Sequence, residues 1–356
     1  MKLSLVMIVK NEQKHIKKCI QHAKKYVDEI IVVDTGSTDR TKTILSKLPV
    51  TLFEEEWDGH FANMRNKAID KAAGDWILVL DADEIVTHFD YNAIRSFMIE
   101  PSIGIIRLKS KFEDEGITKE AINFVPRLFP RGVHFQGRIH EQLESDLPRR
   151  NVPIYANHFG YYRTNKSDRN IPLLLKALED EPLQPYYHYQ LGKEYAGVKN
   201  ITEALNHFRL FYSNREDNKR YTKEGIVSFL YELKGEQLYE EMDMVITETI
   251  SKMDHYADFH FIRGLFYMDY IQQNSSERFH LINLIEKSYL KCLEIGDKGL
   301  NDGVVGTGSF LAAFNLAVYY ELMDGIIPHG KERAKQMYLL AAKYKYLPAL
   351  QRLKTL

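Results

Sequence analysis

The chain has 356 residues and is nearly neutral, with 48 Lys and Arg against 49 Asp and Glu. This length allows two domains with separate cores, and the balanced charge gives no electrostatic reason to expect nucleic acid or an anionic membrane surface as a partner. No stretch approaches the roughly 20 apolar residues of a membrane span, and the N-terminus begins with a core strand instead of a signal peptide. With only Cys19 and Cys292, far apart in sequence, we expect buried thiols in a cytoplasmic protein.

Three apolar runs near the N-terminus have the composition of strands buried on both faces of a parallel sheet. They span residues 3–9, 30–33 and 76–80. A helical pattern separates the first two runs, as a parallel crossover requires. Because the carboxyl ends of parallel strands meet at one sheet edge, we predict that Asn11, Asp34 and Asp81 lie together there. This edge is where nucleotides bind in such folds.

Asp81 and Asp83 flank Ala82 directly after the third run. If the backbone is still extended there, both carboxylates point to the same side and face one hard cation or one sugar nucleotide. A helix N-cap after a strand is the alternative interpretation, because short motifs of this kind carry a large false-positive risk.

Two helices are predicted between the second and third runs. Ser37 is a good N-cap for the first of them, and the second starts at Phe61. Arg65 falls on the apolar stripe of the second helix, where a guanidinium needs a carboxylate or a phosphate. A salt bridge to Asp34 or Asp81 and a direct ligand contact satisfy this need equally well.

Four motifs resemble those of family 2 glycosyltransferases, and they occur in the order of that family. They are Val-Lys-Asn-Glu at 9–12, Val-Asp-Thr-Gly-Ser-Thr-Asp at 33–39, Phe-Ala-Asn-Met-Arg-Asn-Lys-Ala at 61–68 and Gly-Asp-Trp-Ile-Leu-Val-Leu-Asp-Ala-Asp-Glu at 74–84. The resemblance implies an α/β GT-A fold, Rossmann-like with a mostly parallel sheet. It also implies a UDP-sugar donor, Mg²⁺ or Mn²⁺, and inversion at the anomeric carbon.

The same resemblance implies roles for individual side chains. Asp34 and Arg65 would contact the nucleoside, and Asp81 would lie near the ribose or the donor sugar. Asp83 would hold the metal through the diphosphate, and His158 would complete the metal shell, since imidazole is a competent ligand for manganese. The full donor-binding set implied in this way is Val9, Asn11, Glu12, Asp34, Arg65, Asp81 and Ala82.

The segment from Arg127 to Glu141 looks like the corresponding part of a family 2 branch that carries a helical-repeat tail. In that branch a His-Glu pair lies near the acceptor side of the donor. Glu141 is therefore implied as the general base, and His140 as a residue that orients it or binds the donor. Many family members carry a Glu-Asp pair for the base, which Glu113-Asp114 matches poorly.

Beyond residue 165 the composition changes to helical patterns rich in Tyr, Phe, Leu, Glu and Lys. Leu191-Gly192, Tyr195, Ala204 and Phe208 resemble a tetratricopeptide repeat, and weaker copies follow at 259–293 and 314–342. We therefore predict a GT-A domain at 1–165 and an all-α, tetratricopeptide-like domain at 166–356. Most of its tyrosines should be core residues. They include Tyr186, Tyr187, Tyr189, Tyr319 and Tyr320.

A family 2 domain joined to such repeats resembles bacteriocin peptide S-glycosyltransferases of the sublancin type. The resemblance implies transfer from UDP-glucose to a peptide or protein acceptor, at a cysteine thiol, with the repeats binding part of the acceptor. Two alternatives stay open: a glycosyltransferase for cell-surface polysaccharide or lipopolysaccharide core, and a non-catalytic scaffold that binds nucleotide sugars. Asp81 and Asp83 together with Arg65 favour an enzyme. A homodimer is compatible with the sequence.

Overall fold

The structure is a computed structural model that describes residues 1–114, 117–159, 166–219, 221–297 and 303–356, leaving out the side chains of residues 112–119. The chain divides into two compact units, Met1–Pro182 and Leu183–Leu356. The first unit extends past the boundary predicted at residue 165, because it includes the helix Ser167–Asp180.

The first unit begins with alternating strands and helices, as the sequence predicts. The elements are β1 (Leu3–Val9), α1 (Ile16–Ala23), β2 (Glu29–Asp34), α2 (Thr41–Leu45), β3 (Thr51–Glu54), α3 (Phe61–Asp70) and β4 (Trp76–Val79). The later part is richer in strands. It contains β5 (Glu84–Phe89), α4 (Tyr91–Phe97), β6 (Ile103–Asp114), β7 (Ile117–Pro130), β8 (His134–Gln136), β9 (Gln142–Glu144), β10 (Arg149–His158) and α5 (Ser167–Asp180).

One sheet organises this unit, with strand order β3-β2-β1-β4-β7-β6-β10-β5. The pairs β1–β2, β1–β4 and β2–β3 are parallel, whereas β7 is antiparallel to both β4 and β6. Because β2 and β4 lie on opposite sides of β1, the carboxyl end of β1 is where the strand order reverses. Ligands bind at this position in open α/β sheets. The predicted α/β fold class is confirmed.

Helices cover both faces of β1, which explains its uninterrupted apolar sequence. Leu5 and Met7 belong to a core that includes the apolar stripe of α1, while Val6 packs with Ala68 and Ile69 of α3. Alternate residues of the strand are therefore buried on opposite sides of the sheet.

The loop after β2 differs from the prediction that Ser37 caps a helix. The helix α2 begins only at Thr41, and the Ser37 hydroxyl instead accepts a hydrogen bond from the Asn11 N–H at 2.9 Å. The N–H of Ser37 donates to Asp34 Oδ1 at 2.7 Å, so the loop folds around that carboxylate. Side-chain hydrogen bonds of this kind compete with helix formation.

The second unit is built from antiparallel helical hairpins, as the sequence predicts. The hairpins are α6 (Pro185–Gly197) with α7 (Ile201–Asn214), α8 (Tyr221–Gly235) with α9 (Tyr239–Thr249), α10 (Ala257–Gln273) with α12 (Asn283–Ile295), and α13 (Phe310–Leu322) with α14 (Gly330–Ala342). Shorter elements are α11 (Ser275–Arg278), the 3₁₀ turn Phe279–Leu281, β11 (Gly303–Val304) and α15 (Leu347–Arg352).

Glycines facing aromatic rings recur in this unit. A Cβ atom on Gly192 would come within 2.8 Å of Phe208, and one on Gly264 within 2.6 Å of Tyr289. The helices can approach closely only because these positions lack a side chain. The tyrosines expected in the core are indeed buried or packed against it. The hairpin α8–α9 was not identified from the sequence.

Three further features concern single residues and the chain as a whole. Cys19 and Cys292 are buried and unbridged, as predicted. In the hairpin α6–α7, His207 Nδ1 lies 2.9 Å from His188 Nδ1.

Within the described ranges, no helix is both long enough and apolar enough to cross a membrane.

Candidate functional site

Asn11 joins the loops that follow β1 and β2. Its side-chain oxygen accepts hydrogen bonds from the N–H groups of Thr38 at 2.8 Å and Asp39 at 3.3 Å. Its backbone adopts a left-handed conformation with φ 58°, which asparagine tolerates better than most residues. Asn11, expected in the donor-binding set, therefore serves to fix the shape of the loops at the sheet edge.

The two carboxylate oxygens of Asp34 differ in their hydrogen bonding. Its Oδ1 atom accepts hydrogen bonds from the N–H groups of Gly36 at 3.0 Å and Ser37 at 2.7 Å. Its Oδ2 atom is buried and has no hydrogen-bond partner among the described residues. Such an atom is costly unless a ligand satisfies it. The carbonyl of Val9, another predicted contact, already accepts a hydrogen bond from the Thr35 N–H at 2.9 Å.

Arg65 lies on α3 and is only 6% exposed. Its Nη2 atom donates to Asp81 Oδ1 at 2.7 Å, and its Nε atom donates to Glu141. The predicted alternative of a salt bridge to Asp81 is therefore formed. Its Nη1 atom is buried without a hydrogen-bond partner in the described part of the chain, so one nitrogen remains for a ligand.

Arg127 and Glu84 complete the network of charged side chains around Asp81, and neither was predicted to have a role at the site. Arg127 on β7 donates to Asp81 Oδ2 at 3.0 Å and to Glu84 Oε1 at 2.7 Å. Glu84 is 1% exposed, and its Oε2 atom accepts a hydrogen bond from the Asp81 N–H at 3.0 Å. A charged residue inside the apolar part of β7 and a third acid after Asp83 were the signals available in the sequence.

The two arginines control the ionisation of Asp81. Burial alone raises the pKa of this carboxyl, but the charges of Arg65 and then Arg127 outweigh burial and hold the pKa well below its usual range. Both oxygens of Asp81 are occupied by the guanidinium groups. Glu84 responds in the opposite direction, because its deep burial raises its pKa despite the charge of Arg127.

The backbone turns at Ala82 and Asp83, with the Glu84 N–H donating to the Asp81 carbonyl at 3.0 Å. The extended geometry that would point both carboxylates at one cation is therefore not formed. Asp81 pairs with Arg65 and Arg127, whereas Asp83, which is 5% exposed, contacts His158 instead. Ala82 is buried inside the turn.

Asp83 lies near His158. The His158 Nε2 atom is 3.5 Å from Asp83 Oδ1, while its Nδ1 atom is 3.3 Å from the Ser110 hydroxyl, which orients the ring. Burial alone raises the pKa of Asp83, but the close contact with His158 and the charge of that ring outweigh burial and lower the pKa.

These two side chains fit a divalent cation. Asp83 Oδ1 is buried and lacks a hydrogen-bond partner among the described residues. No group of three or more His, Cys, Asp or Glu side chains in the described part of the chain is arranged to hold a metal ion. A carboxylate and an imidazole suit Mn²⁺ better than Mg²⁺, and such ions commonly take further ligands from phosphates and water. Asp83 and His158 therefore stay predicted metal ligands.

Glu12 and the pair His140-Glu141 also lie near this network. Burial, followed by the charge of Asp83, raises the pKa of Glu12 to about 7. Glu141 is largely buried and reaches Arg65, so the fold does bring the predicted base to the site. His140 has a left-handed backbone with φ 52°, a conformation that often marks functional loops. The Glu113-Asp114 side chains lie outside the described residues.

Comparisons with known proteins agree with this geometry. Residues 4–170 match the family described as Glycosyl transferase family 2. This match covers the N-terminal part of the chain, which contains the sheet and the site described above. A TPR repeat-containing protein of Synechococcus elongatus is 30% identical over 207 residues, which are 53% of this chain and 51% of that protein. The prophage-derived glycosyltransferase SunS of Bacillus subtilis is 30% identical over 222 residues, covering 58% of this chain and 52% of SunS.

The chain thus spans about half the length of the curated relatives that it matches. Among solved structures, the crystal structure of MamA is 17% identical and covers 51% of this chain and 91% of its own, with a TM-score of 0.39. The predicted resemblance to family 2 glycosyltransferases and its combination with tetratricopeptide-like helices are confirmed.

Proposed function

We propose that the protein transfers a sugar, with inversion, from the UDP-sugar UDP-glucose to a cysteine thiol of a peptide such as a bacteriocin precursor. One observation supports the donor most directly. Buried polar atoms of Asp34, Arg65 and Asp83 lack hydrogen-bond partners among the described residues. Asp34 ends β2, Asp83 follows β4, and Arg65 contacts Asp81 between Asp83 and that strand. Native proteins rarely leave such atoms unsatisfied, so their grouping indicates a polar ligand.

The open atoms match the parts of a nucleotide sugar. Asp34 Oδ2 can accept a hydrogen bond from the base or ribose, and Arg65 Nη1 can donate one to an oxygen of the donor. Asp83 and His158 would hold Mg²⁺ or Mn²⁺. When bound, that cation supplies positive charge that stabilises the leaving diphosphate. The 2.7 Å ion pair with Asp81 holds Arg65 in position to donate that hydrogen bond to the donor.

The carboxylates at the site are paired with arginines, which favours a thiol as the acceptor. Asp81 and Glu84 are engaged by arginines, and the proposed base Glu141 must leave or share its contact with Arg65 before it can take a proton. A serine hydroxyl needs strong base assistance, whereas a cysteine thiol has a reference pKa of about 8.5 and is already partly ionised near neutral pH. His140 would orient Glu141.

The helical repeats are the proposed binding region for the acceptor. Stacked hairpins such as α6–α7 and α13–α14 give solenoids an extended surface on which a peptide can lie. Support for a peptide also comes from the resemblance to peptide S-glycosyltransferases, which join the same two kinds of domain.

The test measures donor binding and then transfer. Calorimetry should detect UDP binding in the presence of Mn²⁺, and mass spectrometry should detect one added hexose on a cysteine peptide supplied with UDP-glucose. Asp83→Asn should abolish transfer with little change in thermal midpoint, because the amide keeps the volume of this buried side chain and removes the charge that would hold the cation. Asp146→Ala, an exposed acid of the same unit, is the matched control and should behave like the wild type. No binding at millimolar UDP would refute the donor.

A further inference from the structure

The side chain of Asn66 on α3 binds both backbone polar groups of Phe135 in the hairpin β8–β9. Its Nδ2 atom donates a hydrogen bond to the Phe135 carbonyl at 2.9 Å, and its Oδ1 atom accepts one from the Phe135 N–H at 2.8 Å. We infer that Asn66 is a positioning residue that holds Glu141, the residue directly before β9, at the reaction site. This inference rests on the proposed function, because it takes Glu141 as the acceptor base.

The hairpin β8–β9 is too small to fix its own position. Each strand has three residues, and together they form a separate two-stranded sheet. Hairpins of two strands are marginally stable at best unless they pack against another element. Phe135 lies opposite Leu143 in this pair, but its N–H and C=O are bound by Asn66 and therefore point towards α3. Asn66 thus takes the place of a third strand at the edge of the hairpin.

The contact between Arg65 and Glu141 cannot hold the base in place by itself. Arg65 donates to the carboxylate that would take the acceptor proton, so this charge-assisted contact weakens when Glu141 is protonated. The hydrogen bonds of Asn66 go to neutral backbone groups in β8 and do not change with the charge of Glu141. The hairpin therefore keeps its position while the carboxylate gains and loses a proton.

The loop between β8 and β9 is attached to α3 at a second point. The N–H of Phe61, the first residue of α3, donates to the Arg138 carbonyl at 2.8 Å. Loss of the Asn66 side chain would release β8 but leave this loop attached at Arg138. We therefore expect a displacement of Glu141 and not an unfolded hairpin. A displacement of about 1 Å can lower the rate of a reaction about 100-fold.

Transfer from UDP-glucose to a cysteine peptide tests the role in positioning. At about pH 6 a thiol with a reference pKa of about 8.5 is almost entirely protonated, so the base is needed. Asn66→Ala should lower kcat there about 10-fold to 100-fold, leave the KM for UDP-glucose nearly unchanged, and lose less activity at about pH 9. In a Glu141→Gln background, Asn66→Ala should lower kcat no further. Equal losses in both backgrounds, or at both pH values, would overturn the inference.

Amide hydrogen exchange, followed by mass spectrometry, tests the attachment of the hairpin without any substrate. Asn66→Ala should speed exchange in the segment 134–144 about 10-fold or more, because the hairpin opens more often. Asn66→Asp keeps an acceptor for the Phe135 N–H and loses the donor to its carbonyl, so it should have an intermediate effect. Exchange in Asn66→Ala as slow as in the wild type would overturn the inference.

The exposed ion pair between the same two elements provides the matched control. Asp70 on α3 lies 2.9 Å from His134 at the start of β8, and both side chains are exposed. Asp70→Asn should therefore match the wild type in exchange and in kcat. The proposed function fails in a different way. A Glu141→Gln variant with wild-type kcat at about pH 6 would refute the proposed base, whereas the exchange measurement would still report on Asn66.

Discussion

Replacing Arg127 with methionine should destabilise the first unit by about 3–5 kcal/mol, the usual cost of removing one partner from a buried ion pair. Glu84 is 1% exposed and accepts a hydrogen bond from Arg127 at 2.7 Å, so the variant leaves a deeply buried carboxylate without its compensating charge. Asp81 keeps Arg65 and is affected less. The cost should therefore come mainly from Glu84.

The double variant Arg127→Met/Glu84→Gln separates the charge from packing. It removes both ions while keeping similar side-chain volumes, and we expect it to be at least about 2 kcal/mol more stable than Arg127→Met alone. Lower pH should also raise the stability of the single variant Arg127→Met. The pKa of Glu84 is already raised by burial, so protonation removes its charge as the pH falls, whereas stability is lost as the pH rises.

Tryptophan fluorescence during urea unfolding is the appropriate assay. Both tryptophans of the chain, Trp57 and Trp76, lie in the first unit, so their signal does not report on the repeats. Arg150→Met is the control, because its 3.6 Å ion pair with Glu100 is exposed and should be worth less than about 1 kcal/mol. If the double variant is no more stable than Arg127→Met, an uncompensated Glu84 is not the cause.

Three further predictions concern the acceptor base, the domain boundary and pH. Glu141→Gln should lower transfer to a serine peptide by about 100-fold to 10,000-fold, but lower transfer to a cysteine peptide less, with partial recovery as the pH rises; equal losses would argue against a base role. A fragment ending at Pro182 should hydrolyse UDP-glucose in the presence of Mn²⁺, whereas one ending at residue 165 should not, because it lacks α5; equal activity would contradict this boundary. Burial and then the neighbouring histidine lower the pKa of His207 to about 4, so stability should fall by about 1–2 kcal/mol as the pH drops from about 6.5 to 4. Circular dichroism should show this slope removed in His207→Gln and kept in the exposed control His255→Gln.

Local patterns were sufficient to predict β1, β2 and β4 and the residues at their carboxyl ends. Arg65 could be identified because a charged residue on an apolar helical stripe needs a partner, and the structure supplies one in Asp81. Arg127 could not be assigned in the same way. Its contact with Asp81 depends on the antiparallel pairing of β7 with β4, in which Phe129 lies opposite Ile77. No local pattern encodes a pairing between segments separated by more than 40 residues.

The hairpin α8–α9 shows a similar limit in the second unit. Gly192 packs against Phe208 within one hairpin, and Gly264 packs against Tyr289 within another. Gly225 on α8 instead packs against Phe211 of the preceding hairpin. This glycine therefore packs between hairpins, and a glycine–aromatic contact within α8–α9 is not among the described contacts.

Asp81 and Asp83 have different neighbouring side chains, and these neighbours suit the two acids to different roles. Each oxygen of Asp81 accepts a hydrogen bond from a different arginine, so coordination of a cation there would require breaking a charged contact. Asp83 has a buried oxygen with no hydrogen-bond partner among the described residues, and a histidine nitrogen lies 3.5 Å from it. The first acid is therefore suited to position guanidinium groups, and the second to bind a cation. The turn at Ala82 makes this possible, because an extended backbone would point both carboxylates to the same side.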